Sequence, residues 1–309
     1  MRRAERGVAA VTAILVVAVA AAAATWMLAQ QSATLNQAAL VASRAQADLY
    51  ADAGLDWARG VLLADGRESA IDTLAETWAQ PLPALPVERA VVGGAIVDAQ
   101  SRFNLNNLVK DGARSDADVQ ILRRLLESLA LDTNLAEAVL DWIDTDSDAA
   151  GPGGAEDAHY LALARPHRAA NRPLVMVEEL HRVRGFDAAA IERLRPFVTA
   201  LPVRTPVNAN TAGPEVLHAI LPEISRGEVQ ALVAGRAAKP FRDRADLAER
   251  AKKAAPTAIQ ADLDVRSSHF LVAVAVSQDD VRLAVEALVA RPTGGGGPST
   301  AIIWRRPLA

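Results

Sequence analysis

The chain opens with MRRAERGVAAVTAILVVAVAAAAATWML (residues 1–28), a short basic segment followed by 21 uncharged residues (8–28). An apolar helix of about 20 residues is long enough to cross a bilayer. Three arginines precede the apolar run, so the positive-inside rule places the N-terminus in the cytoplasm. We therefore expect the chain after Ala29 to lie on the far side of an inner membrane.

The helical pattern continues beyond the apolar run, because residues 30–63 contain no proline. Three interpretations of the N-terminus remain open: a secretory signal peptide removed after Ala20, an uncleaved anchor followed by a helical stalk, and a prepilin-type leader cleaved between Gly7 and Val8. A long amphipathic continuation favours the third interpretation, since it has the shape of a pilin spine. Its apolar residues recur every three or four positions: Leu35, Ala38, Ala39, Ala42, Ala45, Leu49, Ala53 and Trp57.

Composition excludes several classes of protein. The 309 residues include no cysteine, which rules out a disulfide scaffold and a cysteine-ligated metal site. The formal net charge is −4, which disfavours non-specific coating of DNA. Hydrophobic residues make up 51% of the chain, enough for a folded core, and the length predicts about two folded units.

The remaining pattern predicts strands on both sides of a long helical region. Residues 65–86 are predicted to form a loop or weak helix, and 87–97 a β-hairpin that turns at Gly93–Gly94. This order predicts an α+β fold with a helical domain inserted between pieces of one sheet. The later predicted elements are helices within 116–144, 176–184, 188–198 and 206–236, and strands over 269–277 and 281–290.

An acidic loop, DWIDTDSDAAGPGGAED, spans residues 141–157 and contains six carboxylates and no base. Oxygen ligands on a flexible loop suit Ca²⁺, which takes about six to eight oxygens at ~2.4 Å. The loop does not match an EF-hand, because Ala149 and Ala155 stand where that template needs Gly and a bidentate Glu. A calcium site, a solvated acidic loop and a paired-carboxylate glycosidase site remain open, although so crowded a loop offers no apolar pocket for the last.

The other motifs predict no catalytic centre. The five histidines form no i, i+4 pair, and the chain contains no G-x-S-x-G, P-loop or G-x-G-x-x-G motif. Residues 207–247 are similar to a helix-hairpin-helix module. The hairpin, residues 222–225, carries Glu223 where DNA-binding members bring glycine amides to a phosphate, which favours a purely structural use. A membrane-anchored nucleic-acid-binding protein remains the alternative function.

Taken in order, these segments resemble the minor pseudopilin K family of the type II secretion system. The resemblance covers nearly the whole chain and depends on the basic leader ending at Gly7. It also depends on a series of short motifs: SRFNLNNL (101–108), DWIDTD (141–146), GAED (154–157) with Tyr160, RAANRPL (168–174), VEEL (177–180), VRGF (183–186) and TPVNANTA (205–212).

The resemblance implies a pilin-like fold, a long N-terminal helix on a small antiparallel sheet, with a large all-helical insertion. It implies a non-enzymatic subunit at the tip of the pseudopilus, anchored in the bacterial inner membrane with its C-terminal part in the periplasm. The expected partners are minor pseudopilins I and J, the major pseudopilin and prepilin peptidase, and no nucleic acid. Thr12 stands where most pilins carry Glu, a departure typical of the K family.

The resemblance also implies calcium in the helical domain, in agreement with the acidic loop. We predict Asp144, Asp146, Glu156 and Asp157 as its ligands, with Asp148 a further candidate. The predicted division of the chain is a leader (1–7), a transmembrane segment (8–28), the periplasmic part of the helix (29–64), a first sheet region (65–105), the inserted helical domain (106–203), its helix-hairpin-helix-like part (204–265), the C-terminal strands (266–291) and a flexible tail (292–309).

Overall fold

The computed structural model describes residues 2–251, 256–292 and 300–308, and their side chains except those of residues 2–10 and Thr257. The predicted glycine linker, Gly294–Gly297, lies outside the described residues. The helices are α1 (Arg2–Glu68), α2 (Asp116–Ser128), α3 (Leu135–Ile143), α4 (Asp157–Leu161), α5 (Ala188–Leu194), α6 (Pro214–Ile220), α7 (Arg226–Ala238), α8 (Arg244–Arg250) and α9 (Pro256–Asp262). Short 3₁₀ helices cover Thr77–Ala79, Ala99–Ser101, Leu105–Leu108 and Val177–Arg182.

The strands form one main sheet and three small pairs. The main sheet is antiparallel, with strand order β1-β2-β9-β10-β11. The strands are β1 (Leu82–Val87), β2 (Ala90–Asp98), β3 (Phe103–Asn104), β4 (Val109–Lys110), β5 (Ala113–Arg114), β6 (Val198–Thr199), β7 (Val207–Asn208), β8 (Leu263–Asp264), β9 (His269–Gln278), β10 (Val281–Ala290) and β11 (Ala301–Pro307).

The C-terminal half of α1 packs along one face of the main sheet. Its contacting residues recur every three or four positions, so they form a single stripe that covers the valines of β9 and β10. Gly54 allows the close approach, because a Cβ at this position would lie 2.8 Å from Val274 Cγ1. The stripe consists of Ala47, Ala51, Leu55, Ala58 and Leu62.

Strand β2 runs straight through Gly93–Gly94, so the predicted turn at these glycines is wrong. The hairpin turns instead at Glu88–Arg89, where Glu88 adopts a φ of 52°. The glycines serve close packing between strands, since a Cβ on Gly94 would lie 2.5 Å from the carbonyl oxygen of Ala273. The predicted loop before β2 is also partly wrong, because Leu82–Val87 forms an edge strand, a position that tolerates its prolines.

The C-terminal segment is a strand over Ala301–Pro307, so the predicted flexible tail is wrong there. This segment pairs antiparallel with β10 and forms the second edge of the sheet. Charged pairs hold it on both faces: Arg305 lies 3.3 Å from Asp48 of α1, and Arg306 lies 2.6 Å from Glu286 of β10. Arg305 and Arg306 are consecutive residues of a strand, so their side chains point to opposite faces of the sheet, and each pairs with an acid on its own face.

A helical domain is inserted between two paired strands, because β2 ends at Asp98 and its neighbour β9 begins at His269. The helices predicted within 116–144 and 206–236 are present as α2, α3, α6 and α7, and the strands predicted over 269–277 and 281–290 are present as β9 and β10. The helix predicted over 176–184 is a 3₁₀ helix. The sheet region ends at Asp98 rather than after residue 105, because Phe103 and Leu105 belong to the core of the helical domain.

A buried polar cluster connects the sheet to the helical domain at this junction. The carboxylate of Asp98 accepts hydrogen bonds from the amide of Asn208 at 3.0 Å and from the hydroxyls of Thr211 at 2.6 Å and Ser267 at 2.7 Å. Burial raises the pKa of Asp98 to about 6, and these hydroxyl donors oppose the shift. The donors come from β7, from the turn after it and from the segment before β9, so Asp98 joins both domains.

Arg291, which directly follows β10, joins the same junction to the end of α1. Its guanidinium donates to Asp65 of α1 at 2.6 Å, to Asp72 and to the carbonyl oxygen of Ser267 at 2.7 Å. It also lies over the ring of Phe270, 4.7 Å from the centroid. Four element ends therefore meet at one pole of the sheet, where the helical domain is attached: the end of α1, the ends of β2 and β10, and the start of β9.

Candidate functional site

Three of the four predicted calcium ligands converge beside the end of α3. Asp144 caps the C-terminus of α3 and Glu156 precedes α4, so two helix ends bring the two ends of the acidic loop together. Carboxylate oxygens of Asp144, Asp146 and Glu156 all lie within 4.8 Å of one another. Two oxygens bound to one calcium ion at ~2.4 Å are separated by at most ~4.8 Å, so the spacing suits a shared ion.

The electrostatics of this cluster also fit a cation. Within the described part of the chain, Oδ1 of Asp144 and both carboxylate oxygens of Glu156 are buried without a hydrogen-bond donor. Burial raises the pKa of Glu156 to about 7, and neighbouring carboxylates led by Asp141 act in the same direction. Burial, followed by Asp146 and Asp141, raises the pKa of Asp144 to about 6. Buried carboxylates without donors are costly unless a cation neutralises them, and oxygen ligands suit Ca²⁺.

The remaining predicted ligands lie outside this cluster. Asp157 accepts a hydrogen bond from the backbone N–H of Ala169 at 3.0 Å and lies 3.4 Å from a guanidinium nitrogen of Arg168. Its carboxylate therefore ties the loop around residue 169 to the start of α4. Asp148 is exposed, and its backbone N–H donates to Asp146 at 2.9 Å.

Asp141 anchors the acidic loop from beneath, a role that the sequence analysis missed. It is fully buried on α3 and accepts a hydrogen bond from the backbone N–H of Ala150 at 3.1 Å. The loop passes so closely that a Cβ on Gly154 would lie 2.3 Å from Oδ2 of Asp141. The available signal was the spacing of three residues between Asp141 and Asp144, which places them on one side of a helix.

We expect Gly154→Ala to lower the melting temperature measured by circular dichroism in calcium buffer. The added methyl group would overlap Asp141 and the N–H of Ala150, and such overpacking costs about 1–3 kcal/mol. The control is Gly227→Ala in α7, where a Cβ would meet nothing within 4 Å. Alanine forms helices better than glycine, so the control should melt at the same or a slightly higher temperature. Unchanged melting of Gly154→Ala would show that the loop does not pack as described.

A second group of acids lies at the junction between the domains. Oxygens of Asp65, Asp72 and Glu76 also lie within 4.8 Å of one another. Arg291 already pairs with Asp65 and Asp72, and Glu76 accepts a hydrogen bond from the indole N–H of Trp78 at 2.9 Å. The protein's own donors, a guanidinium and an indole N–H, already engage all three acids, so this group differs from the cluster on the acidic loop.

The hairpin between α6 and α7 is closed by the protein's own side chains. The backbone N–H of Ser225 donates to the carboxylate of Glu228 at 3.0 Å, and the Ser225 hydroxyl accepts from the N–H of Glu228 at 3.3 Å. Ile224 is buried in the core of the helical domain. A phosphate at this helix start would compete with a carboxylate already in place, so the geometry supports a structural hairpin.

Helix α1 carries a second apolar stripe on the face opposite the sheet. The apolar residues that recur from Leu35 to Trp57 in the sequence lie there, and Leu35, Leu49 and Trp57 are 70%, 69% and 50% exposed. By length and composition, the part of this helix from Val11 to Glu68 is long and apolar enough to cross a membrane, and none of its most apolar window is buried by the described residues. The helix therefore presents one face to its own sheet and leaves the other free.

Comparison with known proteins assigns the family. Two family models, both described as type II secretion system (T2SS), protein K, match residues 101–203 and 207–266. A type II secretion system protein K from Pseudomonas aeruginosa is 33% identical over 96% of this chain and 91% of its own length. This chain belongs to the type II secretion system protein K family. Another protein K, from Klebsiella pneumoniae, is 31% identical over 99% of this chain and 97% of its own length.

A solved structure shows the same architecture. A chain in the crystal structure of the GspK–GspI–GspJ complex from enterotoxigenic Escherichia coli matches with a TM-score of 0.76 and 26% identity, covering 86% of this chain and 97% of that chain. The α+β pilin-like fold with a helical insertion is thereby confirmed as a protein K fold. The two regions that the family models match correspond to the inserted helical domain, so the insertion carries much of the family's signature.

Proposed function

We propose that this protein K is a minor pseudopilin that forms the tip of the type II secretion pseudopilus, where it initiates and caps assembly for protein export across the outer membrane. The observation that carries the proposal is the position of the helical domain. It attaches between Asp98 and His269, at the pole where α1 ends and opposite the exposed apolar part of that helix. Subunits that stack through such helices would be unable to add at this end, because the helical domain covers the surface on which they would dock.

The protein is proposed to be a non-enzymatic, single-pass protein of the bacterial inner membrane. Prepilin peptidase would cleave between Gly7 and Val8, leaving the apolar part of α1 in the membrane and the sheet and helical domain in the periplasm. The acidic loop supports a structural role, because three of its carboxylates offer oxygens within 4.8 Å of one another, a spacing suited to ligands that share one ion. Calcium held by Asp144, Asp146 and Glu156 would fix the loop.

The proposed partners are minor pseudopilins I and J, joined by the major pseudopilin below the tip. The related E. coli chain occurs in a complex with GspI and GspJ. The outer stripe of α1 supports this proposal, since an apolar helix face exposed along several turns is suited to packing against other helices. The nucleic-acid alternative has less support, because a carboxylate of the chain already occupies the start of α7.

We expect Leu35→Glu to reduce the recovery of I and J with this chain by about tenfold or more, because an unpaired carboxylate buried between helices costs several kcal/mol. Recovery is measured after co-expression with prepilin peptidase, extraction of membranes in detergent and affinity purification. Gln37→Glu is the matched control. Gln37 is also exposed, but it lies about 200° around the helix from Leu35.

Loss confined to Gln37→Glu would place the partners on the other face of α1, equal loss in both variants would show that the outer stripe is not the specific docking face, and no loss in either would remove the helix-packing proposal. The mass of the purified chain tests processing in the same sample, with Val8 as the expected first residue. Normal secretion by a strain in which Leu35→Glu is the only copy would argue against a role at the tip.

A further inference from the structure

A cleft with a volume of about 320 Å³ lies where β11 and the neighbouring strands meet the helical domain. The sheet contributes Leu271, Leu288 and Trp304 to its lining, and the helical domain contributes Met176 and Val198. These walls are largely apolar. The volume is at the lower end of the range of small-ligand pockets, about 300–1,000 Å³, so the cleft has room for a small molecule or a single side chain.

The two acids of the cleft are already engaged by arginines. Glu178 pairs with Arg195 and lies 2.9 Å from Arg306, and Glu286 lies 2.6 Å from Arg306. The arginine on β11 therefore bridges both carboxylates, and Arg195 completes the network. Arg195 also lies 2.9 Å from Glu192, so three carboxylates share two guanidiniums in this network.

Two hydrogen-bond donors in the cleft remain without an acceptor. Among the described residues, Arg102 forms no hydrogen bond or ion pair. The indole N–H of Trp304 is buried and also has no partner in the described chain. Burial lowers the pKa of Arg102, and Glu286 offsets part of that effect through space without contact. A buried donor without an acceptor is costly, so the indole N–H favours a ligand that accepts hydrogen bonds, and the half-buried Arg102 offers an unpaired cation in the same cleft.

We propose that this cleft binds a carboxylate attached to a small apolar group, with the Arg102 guanidinium and the Trp304 indole N–H as donors. A guanidinium matches a carboxylate because its N–H groups form two parallel hydrogen bonds. The indole N–H is a donor only, so it adds a third hydrogen bond to an oxygen of the same ligand. The apolar walls contact the rest of the ligand. The C-terminal residue of a peptide and a free organic acid share this chemistry.

The test uses the full chain in detergent micelles, with ¹⁵N-labelled tryptophan and NMR detection of the five indole N–H signals. Trp304→Phe assigns the signal of Trp304. Titration with N-acetyl-leucine is expected to shift this signal to saturation, whereas N-acetyl-leucinamide, which lacks the charge, is expected to leave it in place. Arg102→Gln should weaken binding by about tenfold or more, since hydrogen bonds to charged groups are the strong ones.

Arg305→Gln is the matched control. Arg305 neighbours Arg306 on β11 but faces α1, where it pairs with Asp48 at 3.3 Å, so the same loss of charge should leave binding unchanged. Hexanoate and the tripeptide Ala-Ala-Leu distinguish the two sources of the carboxylate. Tighter binding of the tripeptide indicates a peptide terminus, and equal or tighter binding of hexanoate indicates a free acid.

Three results would overturn the proposal: no saturable shift at tens of millimolar acid, an equal shift with the amide, or equal binding by folded Arg102→Gln. The indole signals other than that of Trp304 report whether Arg102→Gln retains its fold. Should this variant fail to fold, Arg102→Lys, which keeps the charge, takes its place. It should bind N-acetyl-leucine more weakly than the unsubstituted chain does, but more tightly than the unsubstituted chain binds N-acetyl-leucinamide.

Discussion

Removal of calcium is expected to lower the melting temperature of the chain by roughly 5–10 °C. An ion present at about 100 times its Kd stabilises the folded state by about 2.7 kcal/mol, and each kcal/mol shifts the melting temperature of a chain of this size by about 2–4 °C. The ion would offset the repulsion among Asp144, Asp146 and Glu156, and it would partner the buried oxygens of Asp144 and Glu156 that have no donor in the described chain. Thermal melting in calcium and in excess chelator measures the difference.

Asp144→Ala separates this effect from general damage to the loop. The variant should melt well below the unsubstituted chain in calcium and at the same or a slightly higher temperature in chelator, because it removes one of several carboxylates that repel one another. Asp148→Ala is the control, since Asp148 is exposed and lies outside the cluster. It should behave like the unsubstituted chain in both buffers.

Equal melting of the unsubstituted chain and Asp144→Ala in both buffers would remove calcium from this site. A calcium-dependent loss of equal size in Asp148→Ala would instead show that the whole loop attracts ions through its net charge. Asp157→Ala discriminates further. Its carboxylate bonds to Ala169 and Arg168, so this variant is expected to destabilise the chain similarly with and without calcium.

The acidic loop illustrates how far sequence spacing identifies a site. The alternation of Asp144 and Asp146 and the return of the chain at Glu156 were sufficient to predict their convergence. Spacing did not separate Glu156 from Asp157, because the two are adjacent at the start of α4, and only Glu156, which has an extended backbone, faces the cluster. Which of the two does so depends on the loop around Ala169, which packs from a distant part of the sequence.

The N-terminal helix shows a related limit. Its outer stripe was identified from apolar spacing, but the inner stripe that packs on the sheet was not. Both stripes are rich in alanine, which supplies three of the five inner residues and five of the eight outer ones. Alanine suits both a close-packed face and a solvated helix, so its position alone does not assign the face. Gly93–Gly94 raised the same difficulty, because a glycine pair is compatible with a turn or with closely spaced strands, and only the partner strand decides.

Arg291→Ala is expected to be among the most destabilising single substitutions in the chain. Arg291 and Asp72 are 3% and 1% exposed, so truncation would leave a buried carboxylate without its cation. Removing one partner of a buried pair costs about 3–5 kcal/mol, which corresponds to a fall in melting temperature of roughly 6–20 °C. The variant would also lose its bonds to Asp65 and to the carbonyl of Ser267. Circular dichroism melting measures the loss.

The surface pair of Arg89 and Asp279 supplies the control, because its atoms lie at a comparable 3.0 Å while Arg89 is exposed. Exposed pairs contribute about 0–1 kcal/mol, so Arg89→Ala should change melting by only a few degrees. The two variants should also differ in limited proteolysis. Arg291 joins the end of α1 to the start of β9, where the helical domain is attached, so its loss should expose cleavage sites in the segments around Asp72 and Ser267. Similar melting and similar proteolysis in the two variants would mean that the junction is held by the Asp98 cluster alone, with Arg291 contributing no more than a surface charge.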